Sequence, residues 1–386
     1  MPAKLLFYTH GLVDGGAERL WSCLATAMKA RGHEVVFAQD FEGEENRANL
    51  DASIPLYTLG RNHLVAIKNL AALLRKEKPD VALSAVGGSN TKLMLAKWLA
   101  RVPMKTIITY HGFNEWKTGL LSLITYLGLP VLSASADMTV AVSDGLREQL
   151  IARWGAKPAR TMTILNPVFY PQSARVPSEA ELRARPDTIL AVGRFVPEKD
   201  FETLIRAFAR VNRPSAKLVI LGKGPDEAKL VAEIKRLGLT HRVSIPGYSR
   251  EPWAHYANAK CFALSSNSEP FGNVVVEAMA HGLPVVATAC CGPQEILQHG
   301  QYGRIVAVGS DLQLAQALDA ALDDPGDPQA RRDRADDFSF EVRVPAYEAV
   351  IDLVLGVAIA TAPAAPTHAT ADVVALSDHR HSRPAA

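Results

Sequence analysis

The sequence predicts an α/β chain made of two doubly wound parallel-sheet domains facing each other across a cleft. Short apolar runs rich in valine, isoleucine and leucine alternate with amphipathic helical stretches from the start, the pattern of parallel strands covered by helices. The alternation stops at a polar, proline-punctuated stretch over residues 171–187 and then restarts, so one chain carries two successive α/β halves. With 386 residues, 48% of them hydrophobic, each half is long enough for a core of its own.

In the first half, LLFYTH reads as a buried strand, GLVDGG as a loop and AERLWSCLATAMKARG as an amphipathic helix closed by glycine. The strands HEVVFAQD and IPLYTL follow, then the helix HLVAIKNLAALLRKEKP, whose proline marks the stop. DVALSAV, KTIITYH and DMTVAVS are further strands, with the helix NTKLMLAKWLARV after the first of them; the helix DGLREQLIARWG and the strand MTILNPV complete the half.

The second half repeats the order: strand TILAVGR, helix FETLIRAFARV, strand AKLVILG, helix DEAKLVAEIKRLG, strand RVSIPGY and short helix PWAHYANA. A compact βαβ unit follows, in which CFALSS is a strand, SEPFGN a turn-rich loop, VVVEAMAHG a helix closed by Gly282, and LPVVATA the returning strand. Residues 312–322 and 340–357 read as late helices. The expected divisions are 1–170, a linker at 171–187, 188–339, a terminal helix at 340–357 and a disordered tail at 358–386, rich in Ala, Pro, Thr and His. His368, His379 and His381 in that tail are not read as a metal site.

Charged residues nearly cancel at a net +2, with no concentrated basic face, which argues against nucleic acid as a partner. Cys23, Cys261, Cys290 and Cys291 show no metal-ligand spacing and lie mostly beside apolar runs, so they read as free thiols in a reducing compartment. The first residues lead straight into a strand, with no signal-peptide region, so the expected location is cytoplasmic. Residues 118–136 carry no charge. Gly119, Gly128 and Pro130 interrupt them, so a buried helix is expected rather than a membrane span, with a surface helix making peripheral membrane contact as the alternative.

The residues that can carry chemistry fall at strand ends. Gly15 and Gly16 precede a helix N-terminus whose free N–H groups suit an anion; a plain tight turn accounts for them equally well. Arg194, beside Gly193 at the end of TILAV, and Lys199 before the next helix offer a guanidinium fork and an ammonium that together suit a diphosphate. The loop from Leu221 to Asp226 repeats that pattern. Phe271, Gly272, Asn273 and Val274 form the turn into a helix whose first N–H groups point outward. Glu269 lies before that turn and Glu277 within the helix. Carboxylates there can accept paired hydrogen bonds from a hydroxyl-rich ligand, while solvation of Glu269 and dipole stabilisation by Glu277 are the plainer readings. His111 ends the strand KTIITYH, where a structural histidine is the plainer reading and a site residue the sharper one.

Together these stretches resemble the retaining glycosyltransferases of family four, with the two-Rossmann GT-B fold, over residues 5–347. The most specific element is Glu269-Pro-Phe-Gly-Asn-Val-Val-Val-Glu277, which looks like the family's E-x7-E motif and runs into EAMAHGLPVVAT; GGAER, AVGRFVPEKDFETLIRAF and LVILGKGP support it. The resemblance implies that Glu269 contacts the donor-sugar hydroxyls and Glu277 the nucleotide ribose. Arg194 and Lys199 would hold the diphosphate, helped by Gly16 and the N–H groups of residues 272–274. His111 would lie beside the transferred sugar, Tyr248 and Ser249 near the base, and the last helix would pack on the first domain.

The implied activity is a metal-independent hexosyl transfer from a nucleoside-diphosphate sugar, with no other cofactor, to a glycan or lipid-linked acceptor in cell-surface polysaccharide or lipopolysaccharide assembly. The uncharged residues 118–136 carry the acceptor reading and make the inner face of the cytoplasmic membrane the alternative to a freely cytoplasmic location. Asp323-Asp324 and Asp336-Asp337 fall outside the expected site and read as solvated charges. A nucleotide-sugar isomerase of similar shape and a non-catalytic sugar-nucleotide binding module stay open as alternatives.

Overall fold

The computed structural model describes residues 2–13, 15–113, 116 and 120–357. They form two compact units: one ends at Pro167 and is completed by the helix that begins at Phe340, and the other runs Val168–Ser339. Each is a doubly wound, Rossmann-like parallel sheet.

The first unit has strands β1 (Lys4–Thr9), β2 (Glu34–Gln39), β3 (Leu56–Thr58), β4 (Val81–Ala85), β5 (Lys105–Tyr110), β6 (Met138–Ala141) and β7 (Thr161–Thr163) in the order β3-β2-β1-β4-β5-β6-β7. All pairings are parallel, with Leu5 opposite Val35 on one side and Val81 on the other. Helices cover both faces, so alternate residues of β1 feed separate cores. Leu5 and Phe7 pack with Trp21, Leu24 and Met28, and with Tyr347, Val350 and Ile351 of the helix Phe340–Leu355. Leu6 and Tyr8 pack on the other face with Leu70, Leu74 and Leu93. The terminal helix is also tied to this unit by Arg31 and Glu348, 2.6 Å apart.

Within residues 118–136 the buried helix is not observed as expected. Instead Gly128 separates two short helices, Leu120–Leu127 and Leu129–Ser135. One side buries Tyr126, Leu129 and Leu132, while Leu120, Ile124, Leu127 and Val131 are more than half exposed. The interruptions therefore split the segment into half-buried surface helices. No helix among the described residues is long and apolar enough to cross a membrane.

The second unit has strands β8 (Thr188–Val192), β9 (Lys217–Leu221), β10 (Val243–Gly247), β11 (Cys261–Leu264), β12 (Val285–Thr288) and β13 (Arg304–Val306), again all parallel, in the order β10-β9-β8-β11-β12-β13. Its core joins Ile189, Leu218 and Ala263 of the sheet to Leu204, Phe208 and Leu318 of the covering helices. The stretch expected as a linker folds in part: Glu179–Ala184 is helical, started by a reciprocal cap between Ser178 and Glu181. Three further elements are absent from the sequence expectation. β13 is only three residues long, the helix Cys291–Ile296 is short, and the helix Pro328–Asp336 has almost no apolar periodicity. That last helix is anchored by buried arginines. Arg331 donates to the Gly282 carbonyl, Arg332 to that of Ala280 and Arg334 to that of Ile296, so guanidinium groups occupy the C-terminal ends of two neighbouring helices. Asp336 accepts from Arg332 and Tyr170, and Asp337 from Arg334, so this pair is not the solvated charge expected from sequence. The tail and its histidines lie outside the described residues.

Candidate functional site

In each sheet the strand order reverses once, and loops leaving the carboxyl ends of the two strands at that point diverge to leave room for a ligand. In the second unit the reversal falls between β8 and β11. The loop after β8 carries Gly193, Arg194 and, in the single turn Pro197–Lys199, Lys199; the loop after β11 carries Glu269. Topology therefore brings three of the predicted residues to one place.

Close backbone packing shapes the cation loop. Gly222 has φ +154°, and a Cβ there would lie 1.9 Å from the Gly193 carbonyl oxygen, so only glycine fits. The Phe195 N–H donates to the Lys223 carbonyl over 2.9 Å, locking the two glycine-bearing loops together. The stem of Lys199 runs past Gly193, and its ammonium donates to Oε2 of Glu269. Arg194 is exposed and forms no ion pair with a carboxylate among the described residues, so its guanidinium is available to an anion.

Glu269 is 8% exposed, which removes the plainer reading of a solvated loop carboxylate. Besides Lys199 it accepts from the Ser266 hydroxyl at 3.2 Å. The next turn ends at Gly272, whose φ of +106° is left-handed, and the helix Asn273–Ala280 starts there. Phe271 is buried against Phe338, with ring centroids 5.6 Å apart, so it acts as an anchor for the turn. Asn273 and Val274 are the first two helical residues, which places their N–H groups at the positive end of the helix.

Glu277 is the fifth residue of that helix, beyond the dipole's strongest region, and 7% exposed. Its Oε2 accepts from the Tyr256 hydroxyl at 2.8 Å. Below it, His281 lies nearly parallel to Trp253 and Tyr256, with centroids 5.9 and 5.2 Å away, in a cluster in which those two rings are themselves 6.3 Å apart, and its Nδ1 is 2.8 Å from the Glu277 carbonyl. Burial depresses the His281 pKa, which keeps the imidazole neutral in this stack. Tyr248, half exposed at the end of β10, is covered by the Lys223 ammonium 4.8 Å from its ring.

The first unit holds the remaining predicted residues. Gly15 is the N-cap of the helix Gly16–Ala30, with extended backbone at φ −178°. A Cβ there would sit 2.0 Å from Oε2 of Glu18, the far end of a flexible side chain that folds back over the helix start and would have to move aside. His111 follows β5, and its Nε2 is 2.9 Å from Thr109 Oγ1. Because the Thr109 hydroxyl donates its own proton to the Ser84 carbonyl, Nε2 is assigned as the donor and Nδ1 as the lone-pair nitrogen. Trp21 meets the ring edge-on at 6.0 Å, and burial pulls its pKa down to about 4. His111 is thus a neutral imidazole at neutral pH. Nearby in chain order, after β2, Asp40 is buried with Lys92 as its ion-pair partner and accepts from Tyr8 at 2.6 Å. Burial, then Asp40, holds the Tyr8 phenol well above its ordinary pKa.

Sequence reasoning missed Tyr256, His281, Ser266 and the Asp40–Lys92 pair. Tyr256 and His281 sit in runs read simply as helix, and their stacking depends on elements 25 residues apart. All four cysteines are free thiols; Cys261 and Cys290 are buried, and burial raises the Cys261 thiol to about 12. Among the described residues, no cluster of three His, Cys, Asp or Glu side chains could hold a metal ion.

Residues 175–338 match the family model for Glycosyl transferases group 1, and residues 14–169 match that for Glycosyltransferase Family 4. The chain is 33% identical to the lipopolysaccharide core biosynthesis glycosyltransferase LpsD of Rhizobium meliloti, over 83% of this chain and 88% of that one. It is 29% identical to the Campylobacter jejuni N-acetylgalactosamine-N,N'-diacetylbacillosaminyl-diphospho-undecaprenol 4-alpha-N-acetylgalactosaminyltransferase, over 86% of this chain and 93% of its relative. Among solved structures, Anabaena HepE in complex with UDP and glucose superposes with a TM-score of 0.73 at 19% identity, covering 98% of each chain, a likeness of fold.

Proposed function

Since this chain belongs to the family 4 glycosyltransferases, with the two-Rossmann GT-B fold, we propose that it transfers a hexosyl unit, with retention, from a nucleoside-diphosphate sugar to a glycan or lipid-linked acceptor. The names of its relatives support a place in lipopolysaccharide or cell-surface polysaccharide assembly.

The observation that carries this reading is the charged centre at the β8–β11 reversal, where Lys199 and Glu269 are bonded beside an exposed Arg194. In the proposed reaction the anomeric C–O bond to the diphosphate breaks through an oxocarbenium-like transition state. The acceptor oxygen bonds to the same face of that carbon, and its proton leaves with the departing phosphate. Negative charge grows on the leaving oxygen, so Lys199, Arg194 and the first N–H groups of the helix Asn273–Ala280 supply the stabilisation without a metal ion. Gly15 and Gly16 would add N–H groups, Glu269 would accept from sugar hydroxyls, and Glu277 from the ribose. Tyr248 is assigned to the base. His111 is assigned to the transferred sugar, where a neutral ring adds no positive charge near a developing cation.

The exposed stripe Leu120, Ile124, Leu127 and Val131 supports a peripheral contact with the inner face of the cytoplasmic membrane. Sedimentation with phospholipid vesicles tests this: the wild type should sediment and Leu120→Asp with Leu127→Asp should abolish it. A wild type that stays in the supernatant would remove the membrane from the account, and undiminished sedimentation of the variant would remove this stripe as the contact.

The activity itself is tested by incubating the protein with a panel of nucleotide sugars, with and without acceptor. Acceptor-dependent release of nucleoside diphosphate is expected. Rearranged nucleotide sugar without release would indicate an isomerase, and tight binding without turnover a binding module.

A further inference from the structure

The loop that presents Glu269 is held from two directions. Ser266 is fully buried, and its carbonyl oxygen accepts from Thr288 Oγ1 at 2.6 Å and from Cys290 Sγ at 3.0 Å, so its backbone is fastened to the end of β12. On the other side, Ser265 Oγ donates to the Lys199 carbonyl at 2.9 Å, and the Asn267 N–H donates to the Glu198 carbonyl at 2.8 Å. The Ser266 hydroxyl, carried by this fixed segment, reaches Glu269 Oε2 at 3.2 Å.

Two donors, Lys199 Nζ and Ser266 Oγ, therefore meet on the same carboxylate oxygen. They differ in freedom: lysine ends a flexible four-carbon stem, whereas the serine hydroxyl has one rotatable bond on a pinned backbone. In the proposed reaction Lys199 is needed at the diphosphate. When its ammonium turns there, Glu269 loses the mobile donor and keeps the fixed one. Oε2 then stays oriented, and Oε1 is the oxygen presented to a sugar hydroxyl.

We infer that Ser266 is a positioning residue that holds Glu269 in place while Lys199 serves the leaving phosphate. The inference rests on the roles proposed above for Glu269 and Lys199. Thr288 supports it indirectly, by fixing the Ser266 carbonyl.

Steady-state kinetics with saturating acceptor test it. Ser266→Ala should lower kcat about tenfold, the scale of one hydrogen bond to a charged group, while donor KM changes by less than about threefold. Ser266→Thr, which keeps a hydroxyl, should recover most of kcat. Thr288→Val should lower kcat to an intermediate level with no change at Glu269. A purely structural serine would instead lower the melting temperature and leave kcat of the folded enzyme unchanged. Wild-type kcat in Ser266→Ala overturns the inference, as does no recovery in a folded Ser266→Thr; should Ser266→Ala not fold, wild-type kcat in Thr288→Val overturns it equally. Glu269→Gln is the parallel control. Full activity in that variant sinks the role of Glu269 itself, whereas its loss beside an unaffected Ser266→Ala overturns only the present inference.

Discussion

The hydroxyl of Tyr256 donates to Oε2 of Glu277 over 2.8 Å, in a buried setting one helical turn inside the helix that begins at Asn273. Both partners lie in the second unit, and their bond leaves Glu277 oriented from beneath. Replacing Tyr256 with Phe keeps the stacking on His281 and removes only the donor. Binding of nucleoside diphosphate, measured by calorimetry, should weaken about five- to tenfold, while kcat at saturating donor stays within about twofold. Unchanged affinity would detach Glu277 from the nucleotide.

Lys199 pairs with Glu269, yet the proposed chemistry asks it to stabilise a leaving phosphate. Lys199→Met should therefore lower kcat about a hundredfold or more, the scale seen when a transition-state donor is removed. A donor with a better leaving group, such as an activated aryl phosphate glycoside, should suffer less from the substitution. Equal losses on both donors would argue that Lys199 only holds Glu269.

The pair Asp40 and Lys92 is almost fully buried in the first unit, with Tyr8 as a third member. Lys92→Met strands a carboxylate in the interior and should cost roughly 3–5 kcal/mol in denaturant unfolding. The double variant Asp40→Asn with Lys92→Met should recover part of that loss, because the uncompensated charge is gone. Additive losses would contradict the coupling.

His111 has its pKa lowered from 6.5 to about 4 by burial, so the folded state favours the neutral ring. The unfolded chain takes up a proton first as pH falls through about 6.5, and stability is lost from there down to about pH 4. Between about pH 7 and pH 5 the contribution is about 2 kcal/mol. His111→Gln should flatten the fall in Tm over that interval, and a parallel profile would show that another group titrates there.

The sheets were legible because each central strand is covered on both faces and so reads as a continuous apolar run, as in β1 and β11. β13 was not, since three half-covered edge residues carry too little pattern. The helix Pro328–Asp336 escaped for a different reason. Its large buried side chains are arginines that satisfy carbonyl groups of other helices, and hydrophobic periodicity is blind to that. Within the site, the glycines, cations and paired glutamates announce themselves by type and spacing. Tyr256, Ser266 and Thr288 do not, because their value lies in which oxygen they reach after folding. The split of residues 118–136 at Gly128 was written in the sequence as an interruption; the exposure of one side became visible only from what packs beneath it.

The central claim is transfer of a sugar with retention by a site that depends on Glu269. Its most direct test is to follow the wild type and Glu269→Ala by NMR with an α-linked nucleotide sugar and an acceptor. The account predicts an α-glycoside and an equal amount of nucleoside diphosphate from the wild type, and at least about a hundredfold less of both from the variant. A β-linked product, or an undiminished rate in Glu269→Ala, would contradict it.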